Sequence, residues 1–214
     1  MIIDNNIPID GAGISWIIDP HFEYKKSLFA NLEGVFTNQE CDLIVDYNLN
    51  KHKDRLEKAK IFVKSAEENP LDRSIRESMI SFMPNDDPEM KWLFQKMTDV
   101  VNNVNEKAFG YDLIALETLQ FTHYNSKTKG FYTRHTDISD GLLSRKLSCT
   151  LQLTDGDSYE GGNLLLHNSP EPDIVSRKKG SIVFFPSYVL HEVTPVTKGE
   201  RNSLVSWVAG PRFK

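Results

Sequence analysis

The second half of the chain carries seven short strand-like segments with no helical pattern between them. They span residues 116–124, 130–137, 145–154, 162–167, 180–186, 190–193 and 201–208. Turn residues such as Gly161-Gly162 and Lys198-Gly199 separate them. Many short strands without intervening helices are typical of the jelly roll, a double sheet whose mouth often holds ligands. The sequence therefore predicts a mainly β fold of the α+β class, built on a jelly roll.

The first half of the chain shows helical signals instead. Thr37 and Glu40 have the spacing of a capping box, which predicts a helix beginning near Asn38. Asp87-Pro88 then precedes an apolar stripe that runs to Gly110, which predicts a second helix of about 20 residues. We expect both helices to pack on the outer face of the jelly roll. Residues 1–214 are interpreted as one domain, with a helix-bearing support region at 1–115 and the β core at 116–208.

The triplet His135-Thr136-Asp137 closes one of these strands. Because side chains alternate along a strand, His135 and Asp137 share a face. His191 lies at a later strand, in a run that also contains Glu192 and Val193. Two histidines and one carboxylate on neighbouring strands form the facial triad that holds non-haem Fe(II) and leaves coordination positions open. We therefore predict a metal site formed by His135, Asp137 and His191.

Composition limits the classes of function and compartment. A formal net charge of -5 argues against a broad nucleic-acid surface. Only two cysteines, Cys41 and Cys149, are present, so no disulfide framework is indicated and a reducing compartment fits. The first six residues lack the features of a signal peptide, and apolar runs such as 182–185 are too short to span a bilayer. We expect a cytoplasmic protein that binds neither nucleic acid nor membrane; the oligomeric state is left open.

Several motifs together resemble the prolyl-4-hydroxylase-like 2-oxoglutarate/Fe(II) oxygenases. The motifs are Leu119 to Tyr124, Tyr132 to Asp137, Tyr159 to Leu164, Gly180 to Pro186, His191 and Arg201, with a weaker match at Arg76-Glu77-Ser78 and at the Trp92 helix. The resemblance implies a double-stranded β-helix, with Fe(II) as cofactor, 2-oxoglutarate and O2 as co-substrates and ascorbate as a candidate reductant. It further implies hydroxylation of a carbon in a protein or peptide residue, with proline as the leading candidate and succinate and CO2 as co-products.

The resemblance also assigns roles to individual residues. His135, Asp137 and His191 match the iron ligands, and Arg201 matches the basic residue that pairs with the far carboxylate of 2-oxoglutarate. Tyr124 matches a strand tyrosine directed at the co-substrate. Because halogenating relatives lack the carboxylate ligand, Asp137 predicts hydroxylation.

Two positions remain open at this stage. Tyr132 either lines the substrate entrance or serves packing alone. Some relatives place a tyrosine beside the arginine, on the strand that here reads Leu147 to Leu153 and contains none. Ser203 shares the face of Arg201 and is a candidate for a second hydrogen bond to the same carboxylate of 2-oxoglutarate, as are Ser148 and Thr150. The polar loops at 125–130 and 138–144 are expected to move over a water-poor site.

Other functions compete with the protein or peptide hydroxylase. A hydroxylase of a small molecule or a free amino acid would use the same ligands. A zinc hydrolase could use the triad too, although Arg201 and the lack of an evident general base disfavour it. A jelly-roll binding module without catalysis would need no metal.

Overall fold

The computed structural model describes residues 28–60, 71–139 and 143–212. Within them two antiparallel sheets face each other, and two helices lie outside the larger sheet. The strands are β1 (Ala30–Leu32), β2 (Glu57–Lys58), β3 (Arg76–Glu77), β4 (Met79–Phe82), β5 (Ala115–Leu116), β6 (Gln120–Asn125), β7 (Phe131–His135), β8 (Ser144–Gln152), β9 (Glu160–Gly161), β10 (Leu164–Leu166), β11 (Asp173–Ile174), β12 (Ile182–Pro186), β13 (His191–Val193), β14 (Val196–Lys198) and β15 (Glu200–Gly210). The predicted mainly β fold of the α+β class is confirmed.

The larger sheet has the order β1-β12-β8-β15-β6-β4-β2, with β5 paired to β15. The smaller sheet has the order β11-β10-β13-β7-β3, and β14 pairs with β9 in a separate ladder. All seven predicted strand segments contain a strand, and the segment at 116–124 divides into β5 and β6. The support region also contributes β1 and β4 to the larger sheet and β3 to the smaller one. Strands of two to four residues are too short for their alternation to be read from the sequence.

The helices are α1 (Asn38–Asp46), continued by a π-helical turn at Tyr47–Lys51, and α2 (Lys91–Val104), continued by another at Asn105–Phe109. Single 3-10 turns lie at Lys53–Arg55 and Gly156–Ser158. The predicted capping box is confirmed, since the Glu40 N–H donates to Thr37 Oγ1 over 3.2 Å and Thr37 N–H donates to Glu40 Oε2 over 2.7 Å.

The second helix begins later than predicted. The Asp87 side chain accepts a hydrogen bond from the Glu89 N–H over 2.9 Å, so it closes a turn before the helix. Regular helical geometry starts at Lys91, and Met90 caps it without a side-chain bond. The C-terminal prediction is confirmed, because the helical segment ends at Gly110 in the left-handed conformation, with φ of 67°.

Alternation along the central strands separates two environments. On β8, Leu147, Cys149 and Leu151 face the helices and pack with buried residues of α1 and α2. The predicted position of the helices on the outer face of the jelly roll is confirmed. Residues 148, 150 and 152 point the other way, between the sheets, where Tyr124 and Phe185 of the larger sheet meet Leu164 and Val193 of the smaller one.

The described residues include no helix with the length and apolar character needed to cross a bilayer. Residues 1–27, on which the expectation about a signal peptide falls, lie outside the described residues. The expected loop at 138–144 is described only at its two ends. The loop at 125–130 forms a hydrogen-bonded turn, in which the Gly130 N–H donates to Asn125 O over 2.9 Å and the Ser126 N–H donates to Gly199 O over 3.0 Å.

Gly180→Ala tests the turn that leads into β12. Gly180 has φ of +80°, and a Cβ there would lie 2.1 Å from Phe36 O, so alanine must displace the backbone. We expect a loss of about 2 kcal/mol or more in the free energy of unfolding, measured by urea denaturation.

The matched control is Gly34→Ala, where φ is +67° but a Cβ would meet nothing within 4 Å. Only the backbone cost of about 1 kcal/mol applies there. Equal losses for both variants would contradict the close approach at Gly180.

Candidate metal and co-substrate site

The three predicted metal ligands meet on the smaller sheet. His135 ends β7, His191 begins β13, and the two residues pair directly across the strands. Asp137 follows β7, and its backbone N–H donates to Ser187 O over 2.9 Å. One ligand atom from each residue lies within 4.8 Å of the other two. His135 Nε2 is 3.8 Å from Asp137 Oδ1, and His191 Nε2 is 3.4 Å from Asp137 Oδ2.

Backbone carbonyls orient both imidazole rings. His135 Nδ1 is 2.7 Å from Thr133 O, and His191 Nδ1 is 2.9 Å from Val189 O. Because a carbonyl oxygen can only accept, each Nδ1 must carry the proton. The lone pair of each neutral ring is then on Nε2, the atom directed toward Asp137. This is the tautomer that a metal ligand requires.

The ionisation states of His135 and Asp137 agree with this arrangement. Burial, reinforced by the neighbouring His191, lowers the pKa of His135 to about 4, so the ring is neutral at pH 7. For Asp137, burial raises the pKa, but His191, His135 and the Ser148 hydroxyl outweigh it and hold the pKa below its usual range. At neutral pH the site therefore offers the neutral imidazole of His135 and the ionised carboxylate of Asp137.

Ser148 supports the carboxylate ligand from the larger sheet. Its hydroxyl donates to Asp137 Oδ2 over 2.7 Å and lies 3.0 Å from Ser187 Oγ. The sequence offered Ser148 as a candidate second contact for the far carboxylate of 2-oxoglutarate, whereas in the structure its hydroxyl donates to Asp137. Hydrogen bonds of this kind fix the direction of a ligating oxygen.

Aromatic and cationic groups cover His135 on its other side. The Tyr132 ring stacks on the His135 ring with centroids 3.5 Å apart. The Arg76 guanidinium carbon lies 4.5 Å from the Tyr132 ring centroid, and Arg76 Nε donates to Ser78 Oγ over 2.9 Å. Tyr132 thus lines the cavity and packs on His135, while its predicted place at the substrate entrance stays a prediction. Arg76 lines it too, and sequence analysis gave it no role.

Arg201 lies at the start of β15, where it pairs with Tyr124 of β6. Its side chain is only 1% exposed, and Nη2 donates to Gln152 Oε1 over 3.1 Å. Arg201 Nε has no hydrogen-bond partner among the described residues. None of the carboxylates in the described part of the chain forms an ion pair with this guanidinium. A buried charge without a counter-ion is costly, so this guanidinium is suited to an anion supplied by a ligand.

One cavity of about 640 Å³ joins the triad to Arg201. The smaller sheet contributes His135 and His191, and the larger sheet contributes Arg201. The remaining predicted candidates, Tyr124, Ser203 and Thr150, also line this cavity.

Sequence analysis did not identify two further residues at the site, Gln152 and Trp207. Gln152, the partner of Arg201, is two residues beyond Thr150 on the same face of β8, so period-two alternation could have identified it. Trp207 lines the cavity and lies beneath the Arg145 guanidinium, with 4.0 Å between the guanidinium carbon and the ring centroid. A lone tryptophan near the end of a strand gives no signal that separates this position from ordinary core packing.

Comparison with known proteins agrees with this geometry. Residues 119–209 match the 2OG-Fe(II) oxygenase superfamily. The PKHD-type hydroxylase YbiX of Escherichia coli O6:K15:H31 is 34% identical over 117 residues, which cover 51% of this chain and 52% of YbiX. A PKHD-type hydroxylase of Shewanella oneidensis is 43% identical over 70 residues, or 33% of this chain and 31% of that protein. The matches thus span 31% and 52% of the length of these relatives.

Solved structures share the fold over most of the chain. A prolyl-4-hydroxylase of Pseudomonas putida aligns with a TM-score of 0.69 at 20% identity, covering 87% of this chain and 94% of that one. A Trichoplax adhaerens prolyl hydroxylase, in complex with a hypoxia inducible factor peptide fragment, has a TM-score of 0.69 at 17% identity and coverages of 85% and 83%. The viral collagen prolyl hydroxylase of Paramecium Bursaria Chlorella virus-1 aligns with a TM-score of 0.63 at 19% identity, covering 86% of this chain and 97% of that one. The match at residues 119–209 confirms the resemblance to the 2-oxoglutarate/Fe(II) oxygenases, and the solved structures confirm the fold.

Ser148→Ala tests the support of Asp137. Loss of the donated hydrogen bond should raise the pKa of Asp137 and release its carboxylate, weakening Fe(II) affinity by about tenfold or more. Anaerobic metal titration measures this. The control is Ser206→Ala, because that buried hydroxyl donates to Glu117 O over 3.1 Å, away from the triad. Unchanged affinity in Ser148→Ala would show that Asp137 needs no such support.

Proposed function

We propose, from the match of residues 119–209 to the 2OG-Fe(II) oxygenase superfamily, that this chain is an Fe(II)- and 2-oxoglutarate-dependent dioxygenase. Its reaction is hydroxylation of a carbon in a protein or peptide residue, with proline as the preferred residue. The observation that carries the proposal is the joint opening of the triad and of the uncompensated Arg201 guanidinium into one cavity.

The donor set fits Fe(II). Two imidazole nitrogens and one carboxylate oxygen form the facial arrangement of non-haem iron oxygenases, with positions left open for co-substrates. His135, Asp137 and His191 would hold the ion. When bound, iron together with 2-oxoglutarate and O2 supplies an oxidant that places one oxygen atom on a substrate carbon and the other in succinate, with release of CO2.

The protein's own groups orient the metal ligands and bind the co-substrate. The carbonyls of Thr133 and Val189 hold the two histidine rings in the ligating tautomer, and Ser148 holds Asp137. Arg201 offers its free donors to the far carboxylate of 2-oxoglutarate, since a guanidinium matches a carboxylate in geometry and charge. The paired sheets surround these groups with apolar side chains such as Leu164, Phe185 and Val193, which limits the access of water.

A hydrolytic use of the same triad is less well supported. A zinc hydrolase needs a general base beside the metal-bound water. Among the described residues that line the cavity, Asp137 is the sole carboxylate, and it already serves as a ligand.

Comparisons support a protein or peptide substrate. The Trichoplax neighbour is bound to a peptide fragment, and its name and that of the Pseudomonas neighbour describe prolyl hydroxylases. In this chain Arg76 and Tyr132 lie at the cavity beside His135, where they offer hydrogen-bond donors and an aromatic surface to an incoming chain.

Incubation of lysate proteins with the enzyme, Fe(II), 2-oxoglutarate and O2 tests the reaction. We expect tryptic peptides that gain the mass of one oxygen at proline, together with stoichiometric succinate. Asp137→Ala is the control and should abolish both signals, because the triad loses its carboxylate. Succinate formation without any oxidised peptide would point to a small-molecule substrate, contrary to the proposal.

Arg201→Ala separates co-substrate binding from metal binding. Removal of a buried, charged donor pair should weaken 2-oxoglutarate affinity by about 100-fold or more, while Fe(II) affinity changes little. Anaerobic titrations, first with Fe(II) and then with 2-oxoglutarate, measure the two constants separately. Equal losses in both would contradict the role given to Arg201.

A further inference from the structure

The Arg201 guanidinium is held by a neutral group. Gln152 Oε1 accepts from Arg201 Nη2 over 3.1 Å, and both side chains are at most 2% exposed. Because arginine can only donate, the amide oxygen must be the atom that faces it. A carboxylate in the same place would form a buried ion pair and cancel the charge. The amide fixes the direction of the guanidinium and leaves its charge uncompensated.

The backbone around Gln152 is fixed on both sides. Its N–H donates to Ser181 O over 2.9 Å, and its carbonyl oxygen accepts from the Gly180 N–H over 2.9 Å. Across β8 and β15, Gln152 pairs with Ser203, two residues from Arg201. The amide is therefore held at a fixed place beside the guanidinium.

The hydroxyls of Ser203 and Thr150 are the other candidates for a group that acts beside Arg201 in binding the far carboxylate of 2-oxoglutarate. Both line the cavity. The side chain that accepts a hydrogen bond from the Arg201 guanidinium, however, is Gln152. Period-two alternation places Gln152 on the face of β8 that carries Thr150.

We propose that Gln152 is the positioning residue that makes this end of the cavity select a 2-oxo acid with a second carboxylate over one without. It acts through Arg201, by orienting the guanidinium while leaving its positive charge free for the ligand. This inference rests on the proposed function, because 2-oxoglutarate is the dicarboxylate concerned.

Gln152→Glu is the sharpest test, since it replaces one NH2 group with an oxygen. The new carboxylate should pair with Arg201 and repel the far carboxylate of 2-oxoglutarate. Anaerobic calorimetric titration of the Fe(II)-loaded protein compares 2-oxoglutarate with 2-oxopentanoate, in which a methyl group replaces that carboxylate. We expect 2-oxoglutarate affinity to fall by about 100-fold, and 2-oxopentanoate affinity to stay within about threefold of wild type.

Companion variants separate charge from orientation. Gln152→Leu keeps the Arg201 charge but removes its acceptor, so the loss in 2-oxoglutarate affinity should be about tenfold, smaller than in Gln152→Glu.

Gln120→Glu makes the same change on β6, where Gln120 lines the cavity but pairs with Val205 of β15 and not with Arg201. It should retain most of the 2-oxoglutarate affinity. Ser203→Ala and Thr150→Val should weaken binding less than Gln152→Leu.

The outcomes separate a failure of the role given to Gln152 from a failure of the proposed function. Wild-type affinity for 2-oxoglutarate in Gln152→Glu would overturn the role of Gln152, and so would an equal loss of both ligands. A larger loss in Ser203→Ala or Thr150→Val than in Gln152→Leu would move that role to a hydroxyl. Wild-type protein that binds neither 2-oxo acid would overturn the proposed function itself, and this inference with it.

Discussion

The direct pairing of His135 with His191 across β7 and β13 is the contact on which the site depends. A shift of one residue in this register would turn one imidazole to the outer face of the sheet. Apolar packing supports this register, because Val193 of β13 pairs with Tyr132 of β7 and both side chains pack in the core between the sheets. The geometry of the metal site thus depends on how the smaller sheet packs.

The two sheets supply different chemistry to the same cavity. Metal ligands come from the smaller sheet and the turn that follows it, whereas the anion-binding guanidinium comes from the larger sheet. Two contacts join these parts: the Ser148 hydroxyl reaches across to Asp137, and the Phe185 ring meets the His191 ring edge-on at 4.8 Å between centroids. Since α1 and α2 pack behind the larger sheet, the strands that carry Arg201 and Ser148 have a rigid support.

Local signals in the sequence predicted most of the β core and the principal site residues. Strand positions followed from alternation and turn residues, and the capping box at Thr37 located α1. The start of α2 was misplaced because Asp87 closes a turn with the Glu89 N–H, a use of aspartate that has the same sequence pattern as a helix cap. The short strands β1, β3 and β4 were not predicted, since their existence depends on partners that are distant in sequence.

The chemical groups at the site, and the strand face that each one occupies, follow directly from the order of the residues. Periodicity places His135 with Asp137, and Arg201 with Ser203, because both follow from backbone geometry alone. The partners of these groups depend on how the sheets pack: Ser148 supports Asp137, and Gln152 binds Arg201. Several side chains on one strand face share the same periodicity, so the choice among them depends on strand order, register and the distance between the two sheets, which long-range packing sets.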